Sequence, residues 1–280
     1  MIAFLSLGRA QRKGTVGLHS ALFRVWLMVI ASLVAGPLAA DECRPDGVAG
    51  RAATVSYVND GDTVRLSNGE RVRLVGIDAP EIGYGGDPDE PFGRDSRQAL
   101  QAFLAASRNR IELVPAREHK DRYGRTLAYL YRPDGESAQA HLLTQGMAMA
   151  VFIAPNDALA DCFLARERIA RKAGRGIWSL PAYDPGLPSA AGIPDEVQGA
   201  GIVRGRVLSV AESRRHIWLN LEGRVSVRIN KADRAHFPGW DFKALEGRTL
   251  RVRGWIVHHS NRFQDWFIPV SSGHVLERLD

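Results

Sequence analysis

Side chains able to do chemistry gather in four short clusters of this 280-residue chain. They are Asp60-Gly61-Asp62-Thr63, Arg73-Leu74-Val75-Gly76-Ile77-Asp78-Ala79-Pro80-Glu81, Asp121-Arg122-Tyr123-Gly124-Arg125 and Ala154-Pro155-Asn156. Carboxylates such as Asp62 and Asp78 suit a hard divalent cation, which takes oxygen ligands at roughly 2.3–2.6 Å. Guanidinium forks match the oxygens of a phosphate. A further carboxylate can position or deprotonate a water. Taken singly, each cluster is also ordinary structure: Asp-Gly is a common turn, and Tyr-Gly-Arg suits the end of a hairpin.

The surrounding pattern supplies elements to hold these residues. From Thr54 to Ile77 apolar and polar residues alternate, interrupted by Asn59-Asp60-Gly61 and Ser67-Asn68-Gly69. That predicts short strands joined by hairpin turns. Residues 82–91, with three glycines and two prolines, predict a loop. Residues 92–106 predict an amphipathic helix with Leu100, Phe103 and Leu104 on one face. Strands are predicted at 110–116 and 125–131, and helices at 138–145 and 156–173, the second capped by Asn156 or Asp157.

Taken together, in order and spacing, the clusters resemble the staphylococcal nuclease (thermonuclease) family over about residues 54–178. The resemblance implies an α+β fold, a five-stranded oligonucleotide-binding (OB) barrel with three helices. It implies Ca2+ as cofactor, held by Asp62, Asp78 and the backbone carbonyl of Ala79. The family has threonine at that last position, and a backbone ligand tolerates alanine. It implies Arg73 and Arg125 as catalytic arginines, Glu81 as candidate general base and Tyr123 as a nucleotide contact. The expected activity is hydrolysis of DNA or RNA phosphodiester bonds, leaving 3'-phosphate ends. The competing expectation is a non-catalytic nucleic-acid-binding module of the same fold. Such modules typically lose carboxylates or arginines of the set, and here none is lost.

Two departures stand out. The family has a tyrosine on the leaving-group side where this chain has Val151. The loop at 82–91 carries Asp87, Asp89 and Glu90 instead of lysines, which is expected to weaken phosphate binding.

Composition bounds the rest. Hydrophobic content is 45% and charged content 24%, as in a folded globular chain. Arg9, Arg12, Lys13 and Arg24 precede the apolar run 25–35, and Pro37-Leu38-Ala39-Ala40 follows. That order predicts a signal peptide at 1–40 and a periplasmic or secreted product, with an uncleaved anchor as the alternative. Without it the chain has 33 basic and 31 acidic residues, so net charge alone says little about a nucleic-acid partner. The positive charge sits in residues 201–280, with 14 Lys/Arg against 8 Asp/Glu. The two cysteines, Cys43 and Cys162, are expected to pair in an oxidising compartment.

The expected organisation is a nuclease domain at 41–180, a Pro/Gly/Ala-rich linker at 181–201 and an accessory β-barrel at 202–280, all in a monomer. The last piece interleaves Trp218, Trp240, Trp255, Trp266, Phe237, Phe242, Phe263 and Phe267 with Arg204, Arg206, Arg251, Arg253 and Arg262. Aromatic platforms in a cationic groove suit single-stranded nucleic acid. The competing reading makes most of these rings core, Trp255 among them.

Overall fold

The computed structural model describes residues 43–194, 197 and 199–280; the expected leader at 1–40 lies outside the described residues. The first half contains strands β1 (Arg51–Val58), β2 (Thr63–Leu66), β3 (Arg71–Leu74) and β4 (Ile77–Asp78), then helix α1 (Gly93–Ala105). Strands β5 (Arg110–Lys120) and β6 (Thr126–Tyr131), helix α2 (Ala138–Gln145), strand β7 (Met149–Ala150) and helix α3 (Ala160–Lys172) follow. The alternation in β2 and β3 puts Val64, Leu66, Val72 and Leu74 inside a closed barrel of order β1-β2-β3-β6-β5. Its β3–β6 pairing is parallel and the other pairings are antiparallel. This is the expected OB barrel with three helices. Beside it, β4 and β7 form a two-stranded antiparallel pair in which Asp78 faces Met149 and Ile77 faces Ala150.

Two helix details differ from expectation. Helix α3 starts at Ala160 rather than at 156, with no side-chain cap. Asn156 is instead buried, bridging the N–H and C=O of Glu118 at 2.8 and 3.2 Å and so fastening the end of β5. The side chain that could have capped the helix is spent on the Glu118 backbone instead. Cys43 and Cys162 are joined by a disulfide, Cα atoms 5.6 Å apart, which ties the start of the described chain to α3.

Within the stretch read as a linker, the residues from Ala182 to Ala191 carry regular structure. A turn at Ala182–Gly186 leads into β8 (Leu187–Pro188), which pairs in parallel with Val203 and Arg204. Its prolines and glycines serve fixed turns, so composition alone misjudged it. Strands β9 (Gly199–Glu212), β10 (His216–Leu221), β11 (Val225–Asn230), β12 (Thr249–His258), β13 (Trp266–Val270) and β14 (Leu276–Arg278) complete the chain. Five of them close as β9-β10-β11-β13-β12, with β8 and β14 added at the edges. The third and fifth strands, β11 and β13, are parallel. Strand order and the one parallel pairing thus repeat those of the first barrel, giving two OB-type barrels in tandem. Among the described residues, no helix is long and apolar enough to cross a membrane.

A buried ion pair pins one barrel to the other. On α3, Phe163, Glu167 and Ala170 share the inward face. Glu167 accepts from the Arg253 Nη1 of β12 at 2.7 and 2.8 Å, with the two side chains only 3% and 6% exposed. The Ala150 N–H donates to the same carboxylate at 2.6 Å, and Arg253 donates to the Ala150 carbonyl at 3.0 Å. Arg251 is buried as well, against Glu277 and Asp184. The guanidinium groups of both arginines are therefore spent on structural ion pairs. Removing one partner of such a pair strands the other as a bare charge. Arg253→Met is expected to cost about 3–5 kcal/mol in chemical denaturation. Adding Glu167→Gln to that variant should recover part of the loss.

Candidate active site

Sharp turns at the strand ends bring the predicted carboxylates together. Asp60 is buried and accepts from the N–H groups of Asp62 and Thr63 at 3.0 and 2.7 Å, which shapes the β1–β2 turn. Gly61 is required there, because a Cβ would lie 1.8 Å from the Ser96 hydroxyl. Asp62, at 1% exposure, accepts from the Ala79 N–H at 2.9 Å and from the Thr63 hydroxyl at 3.0 Å. Arg73, projecting from β3, spends both ends of its fork. Its Nη1 donates to the carbonyls of Leu74 and Ile77, and its Nη2 lies 2.7 Å from Asp78 and 3.1 Å from Asp62. One nitrogen therefore touches both predicted metal carboxylates, so a single small cation could reach both.

Arg125 approaches from the β5–β6 hairpin. Asp121 accepts from its backbone N–H at 2.9 Å and its Nε at 2.6 Å. Burial would raise the Asp121 carboxyl, but the guanidinium and two amides hold it below the usual range. The Nη1 of Arg125 reaches the Thr63 hydroxyl at 3.4 Å, which in turn donates to Asp62. Tyr123 stands 63% exposed at the mouth, with the guanidinium carbons of Arg122 and Arg125 at 4.7 and 5.6 Å from its ring centre.

Glu81 begins the loop at 82–91, and the acidic residues there hold that loop. Asp89 takes the Gly83 N–H and pairs with Arg94, while Glu90 accepts from the Glu81 N–H at 2.9 Å. Two of the three loop carboxylates are thus engaged in fixing the chain around Glu81. Gly93 lets the start of α1 close over this loop, since a Cβ there would sit 2.5 Å from the Glu81 carbonyl.

Electrostatically the cluster is overloaded. Asp60, Asp62, Asp78 and Glu81 surround Arg73 and together outweigh the effect of burial on it, pushing its pKa upward. Desolvation, then Asp62, pushes Asp60 up to about 6. Desolvation pushes Asp78 up to about 7 although Arg73 pulls the other way. Glu81 keeps an exposed edge, yet desolvation and the charges of Asp62, Asp60 and Asp78 push it up to about 7. Surplus negative charge on hard oxygen donors fits a divalent cation. No three His, Cys, Asp or Glu side chains converge as a ligand set among the described residues, so the protein would supply two carboxylates and leave other positions open.

Sequence reading missed three contributors. Asp60 lay within a recognised cluster but had no assigned role. Glu167 could have been noticed as a charge between Phe163 and Ala170 on one helical stripe. Tyr183, from the segment between the barrels, had no local signal; burial and the charges of Glu90 and Asp78 push its hydroxyl pKa up.

Comparison with known proteins places the first half of the chain in a family. Residues 71–180 match the family model for staphylococcal nuclease homologues. A thermonuclease of Staphylococcus intermedius is 37% identical over 134 residues, 47% of this chain and 78% of that protein. The chain belongs to the staphylococcal nuclease family. Endonuclease YncB of Bacillus subtilis is 31% identical over 134 residues, 46% of this chain and 63% of that protein, just under two thirds. The succinoglycan biosynthesis protein ExoI of Rhizobium meliloti is 32% identical over 170 residues, 58% of this chain and 78% of that protein. The nuclease-family match ends before the second barrel begins.

The raised carboxylates bind more protons folded than unfolded. Their contribution to stability is therefore greatest near pH 4 and is lost as pH rises through about 6–7. In chelator, Tm should fall between pH 5 and pH 7.5 more steeply for the wild type than for Asp78→Asn. Millimolar calcium should reduce the wild-type slope, and equal slopes for the two proteins would contradict this account.

Proposed function

We propose that this chain is an exported, calcium-dependent endonuclease that hydrolyses phosphodiester bonds in DNA or RNA and leaves 3'-phosphate ends. The observation that supports this reading best is that one nitrogen of Arg73 touches both Asp62 and Asp78, with Glu81 near enough to feel their charges and Arg125 linked to Asp62 through Thr63. Family membership supports the reaction class, hydrolysis of a phosphodiester. The hydrophobic leader sequence supports export to the periplasm or medium.

In this reading Asp62 and Asp78, with the carbonyl of Ala79, hold the cation. Bound calcium would act as a Lewis acid toward the phosphate. Arg73 and Arg125 bind the phosphate oxygens as negative charge builds on them, and Asp121 holds Arg125 ready for that role. Arg73 can exchange its contacts with Asp62 and Asp78 for substrate oxygens once another cation balances those carboxylates. Glu81, with its pKa near neutrality, orients the attacking water and accepts its proton. Tyr123 offers its ring face and hydroxyl to the nucleotide. Val151 provides no hydroxyl, so the leaving-group side has one contact fewer than the family pattern.

The test is cleavage of single-stranded DNA, duplex DNA and RNA in calcium and in chelator. Arg73→Ala, Arg125→Ala and Glu81→Ala should each lower kcat by about 10²–10³-fold, as for loss of one preorganised group. Substrate binding without turnover in the wild type would favour the binding-module alternative.

A further inference from the structure

The second barrel carries a row of side chains that its own fold does not use. On its four strands β10, β11, β13 and β12, the inward residues Ile217, Leu219, Val227, Ile229, Ile268, Val270 and Ile256 form the core. The residues between them point outward. Trp218 lies directly across from Arg228, and Arg228 across from Pro269. Pro269, Arg228 and Trp255 line a common groove of about 340 Å3. Trp255 is 56% exposed, so it is not the core residue that alternation favoured. Trp266, Phe237 and Phe242 are core residues.

Arg228 is the centre of this row. Its guanidinium carbon sits 4.5 Å from the centre of the Phe267 ring, and it has no carboxylate partner among the described residues. Its flanks are aromatic, with His216 and Trp218 in edge contact at 5.7 Å. Arg214 and Arg215 stand exposed in the loop entering β10, and Arg262 and the 70%-exposed Phe263 in the loop before β13. The nearby acids are largely engaged: Glu212 pairs with Lys231, and Asp265 pairs with Arg224. Among the described residues that line the groove, Asp233 is the one carboxylate.

The groove also reaches the nuclease barrel. Val151 and Ile153 line it, and the Val151 N–H donates to the Gly76 carbonyl at 3.1 Å, two residues before Asp78. The groove and the carboxylate cluster are therefore linked through the backbone hydrogen bond between Val151 and Gly76.

We propose that this face binds a single strand of nucleic acid, with bases stacked on Trp255 and Trp218 and a phosphate on Arg228, and that it holds the substrate strand whose scissile bond lies at Asp62 and Asp78. Flat rings spaced by an unpaired cation match the alternation of bases and phosphates in a single strand. An acidic peptide would use the cation but leave the exposed rings unmatched. The inference rests on the nuclease reading and adds a substrate-holding site outside the family barrel.

The experiment compares two substrates in the full chain, a thirty-nucleotide single strand and a dinucleotide, and adds fluorescence anisotropy of the labelled long strand in chelator. Trp255→Ala and Arg228→Ala should weaken binding of the long strand at least tenfold, with Trp255→Phe recovering most of the loss. They should also lower kcat/KM for the long strand at least tenfold more than for the dinucleotide. Arg228→Ala should reduce the slope of log affinity against log salt by about 0.7, the loss of one phosphate contact. Equal losses on both substrates, or wild-type affinity in both variants, would overturn the proposal. If the wild type cuts neither substrate, the nuclease reading fails. The anisotropy result then still decides whether the face binds a strand.

Discussion

The structure of this site depends on placing several carboxylates around one guanidinium. Four acids, Asp60, Asp62, Asp78 and Glu81, act on Arg73, and the protein alone does not balance them. Two of them are nearly or wholly cut off from water, where a charge costs most unless it is paired. The barrel enforces the arrangement. Asp62 is locked by the Ala79 N–H and Thr63, Arg73 by the carbonyls of Leu74 and Ile77, and Asp78 by the β4–β7 pairing. A fold that holds like charges together against their repulsion stores a capacity for cations. The arginines serve a second purpose, because the same groups that balance the acids match a phosphate.

That arrangement extends into the second barrel. Ala150 is hydrogen-bonded through both its N–H and its C=O to the Glu167–Arg253 pair, and its strand neighbour Met149 faces Asp78. The position of one site carboxylate, Asp78, is thus tied to Arg253, 175 residues further along the chain. A buried pair of this kind contributes less net stability than definition of geometry. It explains how an accessory barrel can matter to chemistry that it does not perform.

Much of this was legible in the sequence. Asp-Gly-Asp-Thr, Asp-x-Pro-Glu and Asp-x-Tyr-Gly-Arg named the residues that meet in space, and alternation with turn residues gave the strands of the first barrel. Helix α2 spans the predicted residues. The failures share a cause, since composition and period report on one segment while partners come from elsewhere. Arg251 and Arg253 read as a cationic surface because their acids, Asp184, Glu277 and Glu167, lie in other elements. Trp255 read as core because alternation does not say which face of a strand another domain will leave open. The region around 181–201 read as a linker because proline and glycine mark turns whether or not those turns are packed. The acids of the loop had no role that sequence could assign, because the backbone amides that Asp89 and Glu90 hold, those of Gly83 and Glu81, are set by the folded loop.

The central proposal is that Asp62 and Asp78 form a calcium site and that the raised Asp78 carboxyl gives up its proton when the cation binds. Isothermal titration of calcium into the metal-free protein near pH 6.5, repeated in buffers of different ionisation enthalpy, tests it most directly. The account predicts a single site, with proton release revealed by buffer-dependent heat, and with binding lost in Asp62→Asn and Asp78→Asn. Calcium binding that survives both substitutions, or that releases no protons, would contradict it.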